Sequence, residues 1–267
     1  MKIDFIEDQG KRKEDFYLIK KPLFAVFDGA NSTNRFYKPD EITGGQLAAS
    51  IARDVFAKNN NSLEVLAKEA NQEIRKRQIA EGVDMRDKLN LWITAFAAIR
   101  LHKNYFEWLN ISDCQIIVVF QDNSFKALVS DYDHDAEVLL EWKKLAKKKI
   151  KNIRELIDAA GLKRIRREIN VSWGALTGED QSVKFLNSGR VSLENLKHII
   201  ICTDGLFIPK EDPKKEDDFD TLVKLFLEGG LKKVKNYVRS LEKNDPYCWK
   251  YPRYKQHDDI VAISLTF

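Results

Sequence analysis

Short apolar runs punctuate the chain, and polar turns separate them. Residues 16–19 and 23–27 are two such runs, joined by Lys20-Lys21-Pro22. Runs of this length, rich in aromatic and β-branched residues, read as buried strands, and two joined by so short a turn predict an antiparallel hairpin. Residues 92–101, 114–120, 125–130, 196–203 and 260–265 read the same way, with Asp122-Asn123-Ser124 as the turn between the second and third of these. Apolar positions recur every three or four residues over about 45–58, 63–80 and 219–241, which predicts helices, the last interrupted at Gly229-Gly230. A further helical pattern, rich in lysine and arginine, spans about 137–168. Strands at both ends of the chain with helices between them predict an α+β layered architecture.

Acidic residues mark the ends of four of these runs. Asp15 opens 16–19, Asp28-Gly29 closes 23–27, Asp204-Gly205 closes 199–203, and Asp258-Asp259 opens the last run. In an antiparallel hairpin the start of the first strand lies beside the end of the second, so Asp15 and Asp28 should meet at one end of a sheet. An Asp-Gly pair after a strand is also a strong turn signal, so each pair alone is ambiguous. Gathered carboxylates repel one another and are costly to bury without a cation. A set made of oxygen ligands, with no cysteine and at most one histidine, suits Mg²⁺ or Mn²⁺ rather than Zn²⁺.

Composition narrows the class. The chain has 267 residues, 43% of them hydrophobic, and no Pro/Gly/Ser-rich linker or internal repeat, so a single domain over 1–267 is expected. A net charge of +4 fits an anionic substrate without requiring nucleic acid. The N-terminus carries no apolar signal segment, and the longest apolar stretch, 91–99, is too short to span a membrane. Cys114, Cys202 and Cys248 form no C-x-x-C pair, which fits a reducing cytoplasm better than a disulfide framework or a zinc site.

The acidic motifs fall in an order that resembles the type 2C metal-dependent protein phosphatases of the compact bacterial kind. Glu14-Asp15 is similar to that family's first acidic pair, Phe27-Asp28-Gly29 to its Asp-Gly metal motif, and Gly44-Gly45-Gln46-Leu47 to the helix start that comes next. Ser112-Asp113-Cys114 stands where the family has Gly-Asp-Ser, and Asp131-Tyr132-Asp133-His134-Asp135 where an Asp-His segment is usual. Gly174-Ala175-Leu176-Thr177-Gly178, Thr203-Asp204-Gly205 and Asp258-Asp259-Ile260 complete the series. The resemblance implies a four-layer sandwich of two antiparallel β-sheets flanked by helices. It also implies hydrolysis of phosphoserine and phosphothreonine in proteins, by attack of a hydroxide bridging two Mn²⁺ or Mg²⁺ ions. By that likeness Asp28 bridges both ions, the Gly29 carbonyl binds one, Asp204 and Asp258 hold the other, Glu14 and Asp15 support the site, and Asp113 helps Asp204 hold a third. Arg12 is the candidate to grip the phosphate, since a guanidinium binds it through two parallel hydrogen bonds. The implied partner is a phosphorylated protein, the product of a serine/threonine kinase, acted on by a monomer with no nucleic acid or membrane involved. Residues from about 137 to 170 correspond to the family's variable flap.

The sequence also departs from the family. Ala30 stands where many eukaryotic members place a histidine that protonates the leaving group, and His257 is a conceivable substitute. Ser112 replaces a glycine, and Val261 a common threonine. Residues 131–135 read as a solvated turn, the lysines at 147–149 as an exposed helix face, and Trp108, Trp173, Tyr251 and Tyr254 as packing residues. A haloacid-dehalogenase mechanism needs a nucleophilic aspartate where Val26 stands, and the segment 174–178 lacks the lysine of a phosphate-binding loop. The alternative from another class is a non-catalytic pseudophosphatase that binds phosphoproteins through the same fold. Retention of Asp28, Asp204 and Asp258 favours activity.

Overall fold

The computed structural model describes residues 1–10, 13–33, 41–129, 134–157 and 161–267. Among them, two five-stranded antiparallel sheets stack face to face. The first runs β1 (Lys2–Asp8), β10 (Ile260–Thr266), β9 (Leu196–Cys202), β6 (Gln115–Phe120), β7 (Phe125–Ala127). The second runs β2 (Phe16–Lys20), β3 (Leu23–Ala30), β4 (Ile93–Leu101), β5 (Tyr105–Ile111), β8 (Asn187–Ser192). Helices α1 (Gly44–Phe56) and α2 (Leu63–Ala80) cover the outer face of the second sheet, and α6 (Phe219–Lys243) that of the first. This is the four-layer α+β sandwich the motifs imply.

Alternation along the strands builds three cores at once. On β3, Phe24 and Val26 face the other sheet, while Leu23, Ala25 and Phe27 face α1 and α2. On β9, Ile199 and Ile201 join the central core and Ile200 and Cys202 pack under α6. With both faces covered, these strands read as unbroken apolar runs. The predicted hairpin is present, with Phe16 paired to Phe27, so Asp15 and Asp28 flank the same rung. The predicted interruption of the last helix is also present: Gly230 takes φ 68°.

Three strands lack that signal. β1 is an edge strand that alternates apolar residues with acids, β5 carries Glu107 and Asn110 among its aromatics, and β8 is a polar edge strand whose Gly189 lies under the Trp108 ring. The basic segment is not one helix. It divides into α3 (Ala136–Ala146), α4 (Ile153–Ile157) and α5 (Lys163–Arg167), with residues 158–160 outside the described set. Lys149 breaks the helix with φ 55°, at the end of three consecutive exposed like charges. Val138, Trp142, Ile153 and Ile165 then pack on Ile93, Trp173 and Cys248, which ties this flap to the body of the fold.

The turn between β5 and β6 holds Asp113. Ser112 adopts φ 66°, a left-handed conformation that suits glycine. Asn110 compensates: its side-chain amide donates to the carbonyls of Phe96 (3.2 Å), Ser112 (3.3 Å) and Cys114 (2.7 Å). Ser112→Gly should therefore raise stability by about 1 kcal/mol, measured as a shift in denaturation midpoint at constant slope.

Candidate active site

The strand ends converge at one end of the sandwich. Asp28 lies near the end of β3, Asp204 just beyond β9, Asp258 just before β10, Asp113 in the β5–β6 turn, and Asp15 at the entrance to β2. A cavity of about 200 Å³ opens there, and Asp113, Asp204 and Asp258 stand on its wall. Two glycines make the convergence possible. A side chain at Gly29 would meet the Gly45 carbonyl oxygen at 2.5 Å and that of Glu14 at 2.6 Å; one at Gly205 would collide with the Asp259 carbonyl oxygen. Each Asp-Gly pair thus serves close backbone approach, and neither is a hairpin turn.

A scaffold of hydrogen bonds holds the acids in place. The Asp259 carboxylate accepts from the backbone N–H of Gly10 (2.5 Å) and of Glu14 (2.8 Å), which pins the loop carrying Glu14 and Asp15 to the start of β10. Glu14 Oε1 accepts from the Thr43 hydroxyl at 2.7 Å and from the Asn31 amide. Asn31 Oδ1 in turn accepts from the Gly45 N–H at 2.8 Å, and Thr43 caps α1 through the Gln46 N–H. The Thr203 hydroxyl accepts from the Val261 N–H at 3.1 Å and donates to the Val261 carbonyl at 3.4 Å. Behind Asp258, Arg239 donates to its carbonyl at 2.7 Å.

The electrostatics follow from this crowding. Burial pushes the Asp15 carboxyl well above the usual range, and Asp258 and Asp259 add to the effect. Asp28 is raised by burial and then by Asp15, Asp204, Asp113 and Asp258; Asp204 is raised by burial, Asp113 and Asp258. Burial also acts against ionisation of Asp258, yet Lys255 Nζ at 2.7 Å outweighs it and holds that carboxyl below its ordinary value.

Among the described residues, no three His, Cys, Asp or Glu side chains are already drawn together as a metal cage. Two buried carboxylate oxygens, Asp15 Oδ2 and Asp204 Oδ1, have no hydrogen-bond partner. Ionised carboxylates are acceptors only, so a cation is the partner such oxygens lack. The donor set is all oxygen, which fits Mg²⁺ or Mn²⁺.

The structure brings Asp15, Asp28, Asp113, Asp204 and Asp258 into mutual electrostatic contact, with Glu14 and Gly29 beside them. Arg12 and residues 131–133 lie outside the described residues. A described guanidinium does face the acids. Arg166 on α5 has a buried Nη1 with no partner; burial pushes its pKa down to about 10, and Asp135 and Glu14 oppose that shift. His257 is engaged by Glu242, its Nδ1 2.8 Å from that carboxylate. The solvated-turn reading of 131–135 needs correction for its last two residues, since His134 and Asp135 both line the cavity. The supporting roles of Asp259, Asn31, Thr43 and Asn110 have no sequence signal beyond their being polar residues between apolar runs.

The raised carboxyls have a consequence for stability without metal. A group whose pKa is higher folded than unfolded stabilises the fold below its unfolded value, about 3.9 for Asp, and loses that contribution as pH rises through the folded value. Asp15, Asp28 and Asp204 behave this way, and within the cluster Asp258 behaves oppositely. Metal-free protein should therefore melt at progressively lower temperature as pH rises above about 4, and Mn²⁺ should reverse the loss at pH 7. Asp204→Asn should stabilise the metal-free protein at pH 7 by about 1 kcal/mol and weaken the Mn²⁺ response, as calorimetry with and without EDTA would register.

Comparison with known proteins places this geometry. The family model for protein phosphatase 2C matches residues 7–243. No curated protein matches the chain. Among solved structures, the catalytic domain of the serine/threonine phosphatase PstP in complex with two manganese ions superposes with a TM-score of 0.60 at 14% identity, covering 98% of this chain and 96% of that one. Stp1 from Staphylococcus aureus gives 0.62 at 13% identity, covering 99% and 94%. PstP/Ppp from Mycobacterium tuberculosis gives 0.60 at 15%, covering 98% and 97%. At these identities the structural likeness speaks for the fold, and the family model, which spans most of the sequence, speaks for descent: the chain belongs to the protein phosphatase 2C family.

Proposed function

We propose that the protein is a metal-dependent serine/threonine phosphatase, one catalytic unit whose substrate is a phosphorylated protein. The observation that carries this reading is the meeting of five aspartates from separate strand ends and turns, two with buried oxygens that lack any partner. Asp28, the Gly29 carbonyl, Asp204 and Asp258 would hold two Mn²⁺ or Mg²⁺ ions, with Asp28 shared between them. Glu14 and Asp15 would support the set, and Asp113 with Asp204 would take a weaker third ion. When bound, paired divalent cations lower the pKa of a water molecule and offset charge on phosphoryl oxygens.

The chain's own residues supply the rest. The Asp259 hydrogen bonds to the backbone of Gly10 and Glu14 keep the Asp15 loop beside the other acids. Lys255 keeps Asp258 ionised and ready to act as a ligand. The unpartnered N–H of Arg166 offers a donor to an anionic phosphoryl group, as Arg12 would by its place in the sequence. The flap carrying Arg166 has exposed lysines at 147–149, which favour acidic surroundings of the phosphorylated residue.

Purified protein should hydrolyse a phosphothreonine peptide and p-nitrophenyl phosphate in the presence of Mn²⁺ and stop when EDTA is added. Asp28→Asn and Asp204→Asn should each lower kcat by at least about 10³-fold, since removing a group central to catalysis typically costs that much or more, while circular dichroism remains native. Full activity in either variant would defeat the metal assignment. A folded, Mn²⁺-binding protein with no turnover would point instead to a phosphoprotein-binding scaffold.

A further inference from the structure

We propose that His134 is the general acid of this reaction, the residue that protonates the departing serine or threonine oxygen; the proposal rests on the phosphatase reading above. Expulsion of an alkoxide without a proton is slow, so the chemistry calls for a donor on the side of the cavity where the leaving group sits. Ala30 cannot serve. His257 is engaged by Glu242, and the remaining histidines sit elsewhere: His198 on β9 contacts Thr266, and His102 stacks on Tyr105 beside Glu107. Among the described residues of the cavity wall, His134 is the one histidine, and it shares that wall with Asp113, Asp204 and Asp258.

Its ring is held in a fixed pose. It stacks face to face on Trp173, with centroids 3.9 Å apart and planes 5° from parallel. Trp173 is itself locked, since its indole N–H donates to the Ile165 carbonyl at 3.0 Å. His134 Nε2 lies 3.5 Å from Asp135 Oδ1, so the ring is tethered at its edge as well as on its face. Imidazole is also the side chain whose ordinary pKa suits proton delivery near neutrality. The other cations on this wall suit it less: Lys210 pairs with Asp217 at 3.1 Å, and Arg253 with Asp245 at 2.9 Å.

The step balances. A water oxygen, having lost one proton to solvent, forms a new bond to phosphorus. The ester P–O bond breaks, and its electron pair leaves with the serine or threonine oxygen. That oxygen takes a ring proton from the imidazolium, and His134 regains a proton from solvent. One water is consumed, and alcohol and phosphate are released.

The test compares leaving groups in wild-type protein, His134→Gln and His134→Asn with Mn²⁺. A p-nitrophenolate leaves readily without a proton, whereas a seryl oxygen does not. The variants should lose on the order of 10²-fold or more in kcat on a phosphoserine peptide, and the loss on p-nitrophenyl phosphate should be smaller by about a factor of ten or more. The pH profile of kcat on the peptide should lose its alkaline fall. Independently of turnover, the His134 ring signal in an NMR spectrum, assigned by its absence in the Gln variant, should shift when inorganic phosphate is added to protein containing Mg²⁺. Equal losses on both substrates would assign His134 a structural role and overturn the proposal, as would an undiminished rate on the peptide or an unmoved ring signal. Wild-type protein inert on both substrates would instead remove the phosphatase reading, and this proposal with it.

Discussion

The rest of the structure depends on one repulsion. Asp15, Asp28 and Asp204 are held close enough to their acidic neighbours for their proton affinity to rise, in a setting where burial already disfavours their charge. Apolar cores on both faces of each sheet set the positions of β3, β9 and β10, and the acids ride on the ends of these strands. Stabilisation is thus gathered in the layers and opposed at the mouth, a division expected where a site is strained for function.

The same logic explains why the polar scaffold is so dense. A loop bearing Glu14 and Asp15 would swing away from Asp28 and Asp258 if left to its own electrostatics. Asp259 prevents this with two backbone hydrogen bonds to the loop, and its own charge adds to the crowding around Asp15. One of the paired acids therefore builds the site and the other faces the cavity.

Much of this was legible in the chain because the central strands are buried on both faces, so their runs stand out and their ends can be named. The hairpin geometry alone placed Asp15 beside Asp28, and the structure pairs Phe16 with Phe27 as that requires. The elements that escaped have one polar face or no apolar one: β1, β5 and β8. The flap escaped for a different reason. Its helical periodicity is real over α3, but the crowded lysines and the left-handed Lys149 end the helix, and tertiary packing of Ile153 and Ile165 directs the chain beyond it. Polar residues that brace the acids, such as Asn31 and Asn110, act through long-range partners that no local pattern encodes.

His134 shows where sequence reasoning met its physical limit. A run of alternating acids around a histidine looks like a hydrated turn, because nothing nearby in sequence restrains it. The restraint comes from Trp173, distant in sequence and itself fixed by the flap through Ile165. The flap therefore does more than frame the cavity: α5 carries the guanidinium that faces Glu14, and the residue before Arg166 holds the ring on which His134 stacks. A rearrangement of this one short helix would move the Arg166 guanidinium and, through Trp173, the His134 ring together.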